Sequence, residues 1–267
     1  MRGRTYYFLH IPKTAGLSVN AWLKSQRAFH LCPDILWSHL LPRDRTTLDD
    51  YDVFAGHFYT GLRDYLSREL DTFTFLRHPV KRSISHYLHI MRDDAHYLYQ
   101  HAHRLGSFMA FMQDPQCLPM LYNFQTRALS MEFDVTALQA TLTNLDDSPF
   151  ALERQIESSL DGYSSAVNLP RAMAYLDRCC FVGITESMED SLGQLQRVLG
   201  ATGEVGPPPT LNLADNKSDL GPLTRDEYRR LLALLADDMA LYEYATSVFL
   251  PRTDANAAQL VKTSHPE

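Results

Sequence analysis

His10-Ile11-Pro12-Lys13-Thr14-Ala15-Gly16-Leu17-Ser18 follows a short apolar run, Tyr6 to Leu9, and precedes a stretch with helical spacing. A strand that ends in a glycine-containing turn and feeds a helix gathers several unpaired backbone N–H groups at one point. The helix dipole favours an anion at the same place. Lys13 adds a mobile cation, and Thr14 and Ser18 add hydroxyls able to donate to phosphoryl or sulfuryl oxygens. The stretch therefore reads as an anion-holding loop of a P-loop-like α/β fold. Its lysine precedes the glycine, whereas the Walker pattern places it directly after, so an ordinary ATPase or kinase is not the first reading.

A second unit of the same kind begins at Thr72-Phe-Thr-Phe-Leu76 and continues through Arg77-His-Pro-Val-Lys-Arg-Ser-Ile-Ser85-His-Tyr87. The first five residues suit a buried strand, and Pro79 suits the first turn of a helix. Val80, Ile84, Tyr87, Leu88 and Met91 then recur at helical spacing. Arg77 falls at the strand's C-terminal end and Ser85 two turns into the helix. The two converge on one anion if the helix folds back beside the strand end.

Outward from these motifs, the sequence predicts a strand near 5–10, a helix from 17 to 27 and a loop through about 50. A short strand at 52–56 ends at His57. A helix around 60–70, the strand at 72–76 and a helix at 79–93 complete an alternating half. Such alternation implies a parallel sheet flanked by helices, with its ligand at the strand C-termini. Residues 105–177 read as a mainly helical insertion broken at Pro115, Pro119, Pro149 and Pro170. Phe181 to Ile184 is the last strand and Met188 to Leu199 its helix. Gly206-Pro-Pro-Pro209 is a stiff linker, and helices from 224 to 249 form a helical C-terminus. One domain over 1–250 and a disordered polar tail over 251–267 are expected.

With 267 residues, 45% of them apolar, the chain can bury a substantial core. A formal charge of −7 argues against nucleic acid and heavily sulfated polymers as partners. Arg77, Lys81, Arg82, Arg92 and Arg104 nevertheless concentrate positive charge in one region. Cys32, Cys117, Cys179 and Cys180 show neither a disulfide framework nor a zinc pattern. No apolar run is long enough to span a bilayer and no signal-peptide core precedes the first strand, so a cytoplasmic location is expected.

The two motifs together resemble the sulfotransferases that use 3′-phosphoadenosine 5′-phosphosulfate, in the branch that includes the hexuronic acid 2-O-sulfotransferases and many bacterial relatives. The resemblance implies that Pro12, Lys13, Thr14, Ala15, Gly16, Leu17 and Ser18 bind the 5′-phosphosulfate, and that Arg77 and Ser85 bind the 3′-phosphate. Ala55-Gly56-His57-Phe58 matches the family's Gly-His element, which makes His57 the catalytic base. Asn123-Phe-Gln-Thr-Arg127, Phe181 to Glu186 with Ser191-Leu192, and Asp238 to Tyr242 match in family order. Asn216, Lys217 and Ser218 match a late loop that closes over the nucleotide. The uronyl enzymes carry a second histidine two positions before the base. Here that position is Ala55, so no paired histidine is expected. His78 stands where an acidic residue is common. These departures detach the chain from the glycosaminoglycan substrate, and the expected acceptor is a hydroxyl on a carbohydrate or glycolipid.

The chemistry needs a base of near-neutral pKa beside the acceptor hydroxyl, which suits His57. Lys13 meets charge building on the leaving phosphate. Asn123, Gln125 and Arg127 read equally as ligand contacts or as a loop brace. Tyr87, Tyr97, Tyr99, Tyr122 and Phe124 suit either a sugar platform or core packing. His86, His89, His101 and His103 have no carboxylate or cysteine at ligand spacing in the sequence, so no metal is expected. A small-molecule kinase and a nucleotide-binding module without catalysis are the readings from other classes.

Overall fold

The computed structural model describes residues 4–26, 28–132, 167–201 and 220–263, together with the isolated residues 134, 136, 137, 140, 152 and 156; over 251–263 the description is of backbone alone. Four strands, β1 (Tyr6–Leu9), β2 (Val53–Gly56), β3 (Asp71–Leu76) and β4 (Phe181–Ile184), form a parallel sheet in the order β2-β1-β3-β4. β1 is central, with β2 on one side and β3 on the other. The strands are short, apolar and almost wholly buried, as expected of a parallel sheet covered on both faces.

Alternation along the strands assigns the faces. Tyr7, Leu9, Phe54, Leu76, Val182 and Ile184 join a core with Trp37, Phe58, Leu62 and Tyr65. Phe8, Val53, Ala55, Phe73, Phe75 and Phe181 point to the other face, against Val19, Trp22 and Leu23 of the helix Gly16–Ser25 and Leu192 and Leu195 of the helix Met188–Leu199. Full burial of each phenylalanine contributes about 2 kcal/mol, so this face alone anchors β1 and β3 firmly. A third apolar cluster lies off the sheet. The helix Pro79–Ile90 supplies Val80, Tyr87 and Ile90, which pack on Phe108, Phe111 and Met112 of the helix Phe108–Gln113 and on Leu231 of the helix Arg225–Leu234.

The expected α/β architecture is present, with some differences in detail. The loop through 50 contains two one-turn helices, Trp37–Leu40 and Arg45–Leu48. The helix expected at 60–70 shortens to a 3₁₀ turn, Tyr59–Gly61, and a helix, Leu62–Leu66, which ends where Ser67 takes a left-handed conformation. Pro170 does not break a helix. It occupies the first turn of Leu169–Arg178, where a missing N–H costs nothing. The last helix, Ala236–Thr263, carries helical backbone past Pro251 into the stretch expected to be a disordered tail. Ala255, Ala257, Ala258, Gln259 and Leu260 favour helix there. The proline linker at 206–209 and Pro149 lie outside the described residues. No helix among the described residues is long and apolar enough to cross a membrane.

Candidate active site

Strand order brings the sequence motifs to one edge. Leu9 pairs with Gly56, so the residues that follow, His10 and His57, leave the sheet side by side. Leu9 also pairs with Thr74, whose hydroxyl donates to the Leu9 carbonyl at 2.8 Å, and Arg77 follows the end of β3 on the other side. The anion loop thus emerges between His57 and Arg77.

Within the loop, Lys13 and Ala15 adopt left-handed backbone with φ of 74° and 69°. A non-glycine residue in that region costs about 1–2 kcal/mol, so the loop is held open by its surroundings. Thr14, fully buried between them, sends both its amide and its hydroxyl to the Ile11 carbonyl, at 3.2 and 2.9 Å. In this conformation its hydroxyl proton braces the turn instead of facing an anion, as the sequence reading had it. Ala15 occupies the N-cap of the helix Gly16–Ser25 and has no side-chain oxygen to cap it. Among the described residues the amides of Gly16, Leu17 and Ser18 accordingly have no backbone acceptor. Leu17 is 60% exposed, so it offers this site its amide more than its side chain.

Gly16 is required by a contact that only the structure reveals. A Cβ placed there would stand 1.7 Å from Nε2 of His10. The His10 ring is thus pressed between the loop and His57, with its centroid 4.4 Å from that of His57. Burial, then the neighbouring His57 and Lys13, push His10 well below the ordinary histidine range and keep it neutral. Position 55 holds no histidine, and the ring beside His57 is that of His10, which follows β1.

His57 is fixed from two sides. Its amide donates to the Ile35 carbonyl at 2.8 Å, and its Nδ1 meets the His10 carbonyl at 2.9 Å. A carbonyl can only accept, so Nδ1 carries the proton and the basic lone pair sits on Nε2. Gly56 permits this approach, because a Cβ there would lie 2.4 Å from the Ile35 carbonyl oxygen.

Arg77 crosses to the loop, where Nη1 donates to the Lys13 carbonyl at 3.1 Å. Its own peptide is bracketed by Gln125, whose Oε1 accepts the Arg77 amide at 3.0 Å and whose Nε2 donates to the Arg77 carbonyl at 2.9 Å. Burial, then the Arg77 and Arg82 guanidinium groups, lower the Lys13 ammonium to about 8. Ser85 is half-buried on the helix Pro79–Ile90, and among the described residues no hydrogen bond joins it to Arg77. Asn216, Lys217 and Ser218 lie outside the described residues.

Arg82 is a site residue that the sequence reading left without a role, although it stands inside the quoted stretch from Arg77 to Tyr87. It is fully buried. Its Nε donates to the Pro12 carbonyl at 3.1 Å, Nη1 donates to the Met120 carbonyl, and Nη2 meets His86 Nδ1 at 2.8 Å. The guanidinium lies 4.0 Å from the centre of the Phe124 ring. Asn123, Gln125 and Arg127, open between ligand contact and brace, are engaged here as braces. Arg127 donates to the carbonyls of Pro119 and Tyr122 at 2.8 and 3.1 Å. Glu186, just beyond β4, accepts the His78 amide at 3.1 Å and the Tyr242 hydroxyl at 3.0 Å.

The result is a cationic, amide-lined loop beside two facing histidines, His10 and His57, at the C-terminal edge of a parallel sheet. It can hold an anion and accept a proton next to it. No family model matches this chain, and no curated protein matches it. Among solved structures it is similar to a sulfotransferase from Alicyclobacillus acidocaldarius, with a TM-score of 0.53 and 14% sequence identity over 95% of this chain and 100% of that one. At that identity the likeness is one of fold.

Proposed function

We propose that the protein is an O-sulfotransferase of the hexuronic acid 2-O-sulfotransferase type. It moves the sulfuryl group of 3′-phosphoadenosine 5′-phosphosulfate to a hydroxyl on a carbohydrate or glycolipid. The observation that carries this reading is the convergence of the amide-lined loop, His57 and Arg77 at adjacent strand ends. The shared fold with a bacterial sulfotransferase supports it.

In this reading the unpaired amides of Gly16, Leu17 and Ser18 hold the phosphosulfate, and Lys13 reaches its bridging oxygen. The acceptor hydroxyl gives its proton to His57 Nε2 as its oxygen forms a bond to sulfur. The bond between sulfur and the phosphate's bridging oxygen breaks, Lys13 offsets the charge left there, and adenosine 3′,5′-bisphosphate departs. Arg77 and Ser85 receive the 3′-phosphate, with Asn216, Lys217 and Ser218 closing over the nucleotide. No step calls for a metal. A cytoplasmic location, expected from the sequence, belongs to the same reading.

The test is calorimetric titration with adenosine 3′,5′-bisphosphate, with ATP as control. Binding of the bisphosphate that collapses in Arg77→Ala supports the reading, and a preference for ATP replaces it with a kinase-like one. Bisphosphate binding without transfer of labelled sulfate to any hydroxyl acceptor leaves a nucleotide-binding module.

A further inference from the structure

We propose that His101, Asp114 and Cys117 form a binding site for one divalent metal ion of the zinc class, separate from the anion loop and independent of the sulfotransferase reading. Neither the spacing of the histidines nor the pattern of the cysteines points to it. The helix Tyr99–Leu105 carries His101 to the turn that follows the helix Phe108–Gln113, where Asp114 and Cys117 lie. One donor atom from each residue lies within 4.8 Å of the other two. Nitrogen, oxygen and sulfur are the ligand set that zinc accepts, and three protein ligands leave a fourth position for water.

Two features point to an ion at the centre of this triangle. His101 Nε2 is buried and stands 3.0 Å from Asp114 Oδ1, so the imidazole and the carboxylate already face one point. Ligand atoms around zinc are about 3.3–3.8 Å apart, so this pair needs only a few tenths of an ångström of opening to share an ion. The carboxylate is also preset: Asp114 Oδ1 accepts the amides of Gln116 and Cys117 at 2.9 and 3.1 Å, which curls the turn so that Cys117 faces the same point.

Charge on the site is compatible. Asp114 stands among donors, with the amides of Gln116 and Cys117 and the His101 ring around its carboxylate. Burial, followed by Asp114, pushes the Cys117 thiol up to about 12. A bound cation reverses this and displaces the thiol proton to solvent as the metal–sulfur bond forms. Metal on Nε2 leaves the proton on Nδ1. Arg104, exposed and 3.4 Å from Nδ1, then turns toward water. The same turn leads into Leu118–Met120, whose Pro119 and Met120 carbonyls receive Arg127 and Arg82, so the ion would steady the segment that clamps the anion loop.

The test is titration of the chelator-treated full chain with Co²⁺, followed by Zn²⁺. The expected result is one Co²⁺ per chain with tetrahedral visible absorption and a near-ultraviolet thiolate charge-transfer band, both removed by one equivalent of Zn²⁺. Cys117→Ser should abolish the charge-transfer band, and His101→Ala should weaken Co²⁺ binding at least tenfold. Circular dichroism accompanies both variants. If Cys117→Ser does not fold, His101→Ala at its half-buried helix position decides alone. A wild-type titration without the charge-transfer band, or equal Co²⁺ affinity in His101→Ala, overturns the proposal.

Discussion

Asn123 and Asp238 cap each other's helices. Asn123 Oδ1 accepts the amides of Asp237 and Asp238 at 3.0 and 3.1 Å, at the start of the helix Ala236–Thr263. Asp238 in return accepts the amides of Gln125 and Thr126 and the Thr126 hydroxyl at 3.2, 2.7 and 2.8 Å, at the start of the helix Phe124–Ser130. Burial raises the Asp238 carboxyl against the pull of these donors, but every donor around it is satisfied. Asp238→Ala strands three buried donors and should cost about 2–4 kcal/mol in urea unfolding. A loss below about 0.5 kcal/mol would show that the reciprocal cap is ornamental to stability.

Gly16→Ala should dislodge the His10 ring, because the new methyl group has nowhere to go. Bisphosphate affinity is expected to fall at least tenfold. His10→Ala introduced alongside should recover a measurable part of it, since the clash is then gone. Equal losses in the single and double variants would refute the steric account.

Lys13 predicts opposite pH trends for stability and binding. Its folded pKa of about 8 lies below the unfolded value of 10.5, so the folded protein is penalised below pH 8 and relieved as pH climbs from 8 to 10.5. Lys13→Met should therefore stabilise the unliganded protein at pH 7 by about 1–3 kcal/mol and flatten that rise. Wild-type bisphosphate affinity should move the other way, dropping about tenfold between pH 7 and 9.5 as the ammonium is lost. Melting curves and calorimetry on the same samples separate the two trends.

Arg82→Lys should behave as a disruptive change, not a conservative one. A lysine cannot reach the Pro12 and Met120 carbonyls and His86 together, and it forfeits the face of Phe124. A loss of about 3–5 kcal/mol is expected from a buried charge left half-satisfied. A thermal scan that overlays on the wild type would mean that the Arg82 contacts are dispensable.

How much could be read in advance depended on how local each signal was. Phe181–Ile184 and Met188–Leu199 were legible to the residue, because apolar runs and helical spacing are properties of neighbours in sequence. The loop, His57 and Arg77 were legible as motifs, and the parallel sheet followed from their alternation. The bond from the Thr14 hydroxyl to the Ile11 carbonyl was not legible, because a hydroxyl's partner depends on how the turn closes. His10, Arg82 and Glu186 went unassigned because the contacts that tie them to the site, to His57, Pro12 and His78, span 47 to 108 residues. The approach of Asp114 and Cys117 to His101 was hidden for the same reason, since helical spacing around His101 cannot register a turn one helix later.

The clamp on the loop also orders the molecule's assembly in time. Arg77 holds Lys13, Gln125 holds Arg77, and Asp238 holds Gln125. The loop is thus secured by a residue 225 positions after Lys13 in the chain. An N-terminal fragment ending before Asp238 would carry the full loop sequence but not the last link of that chain. Contacts of such long range slow folding and prolong exposure of unpaired strands. A preset anion loop therefore waits, in a growing chain, until more than two hundred further residues have followed it, and until then its strands stay open to aggregation.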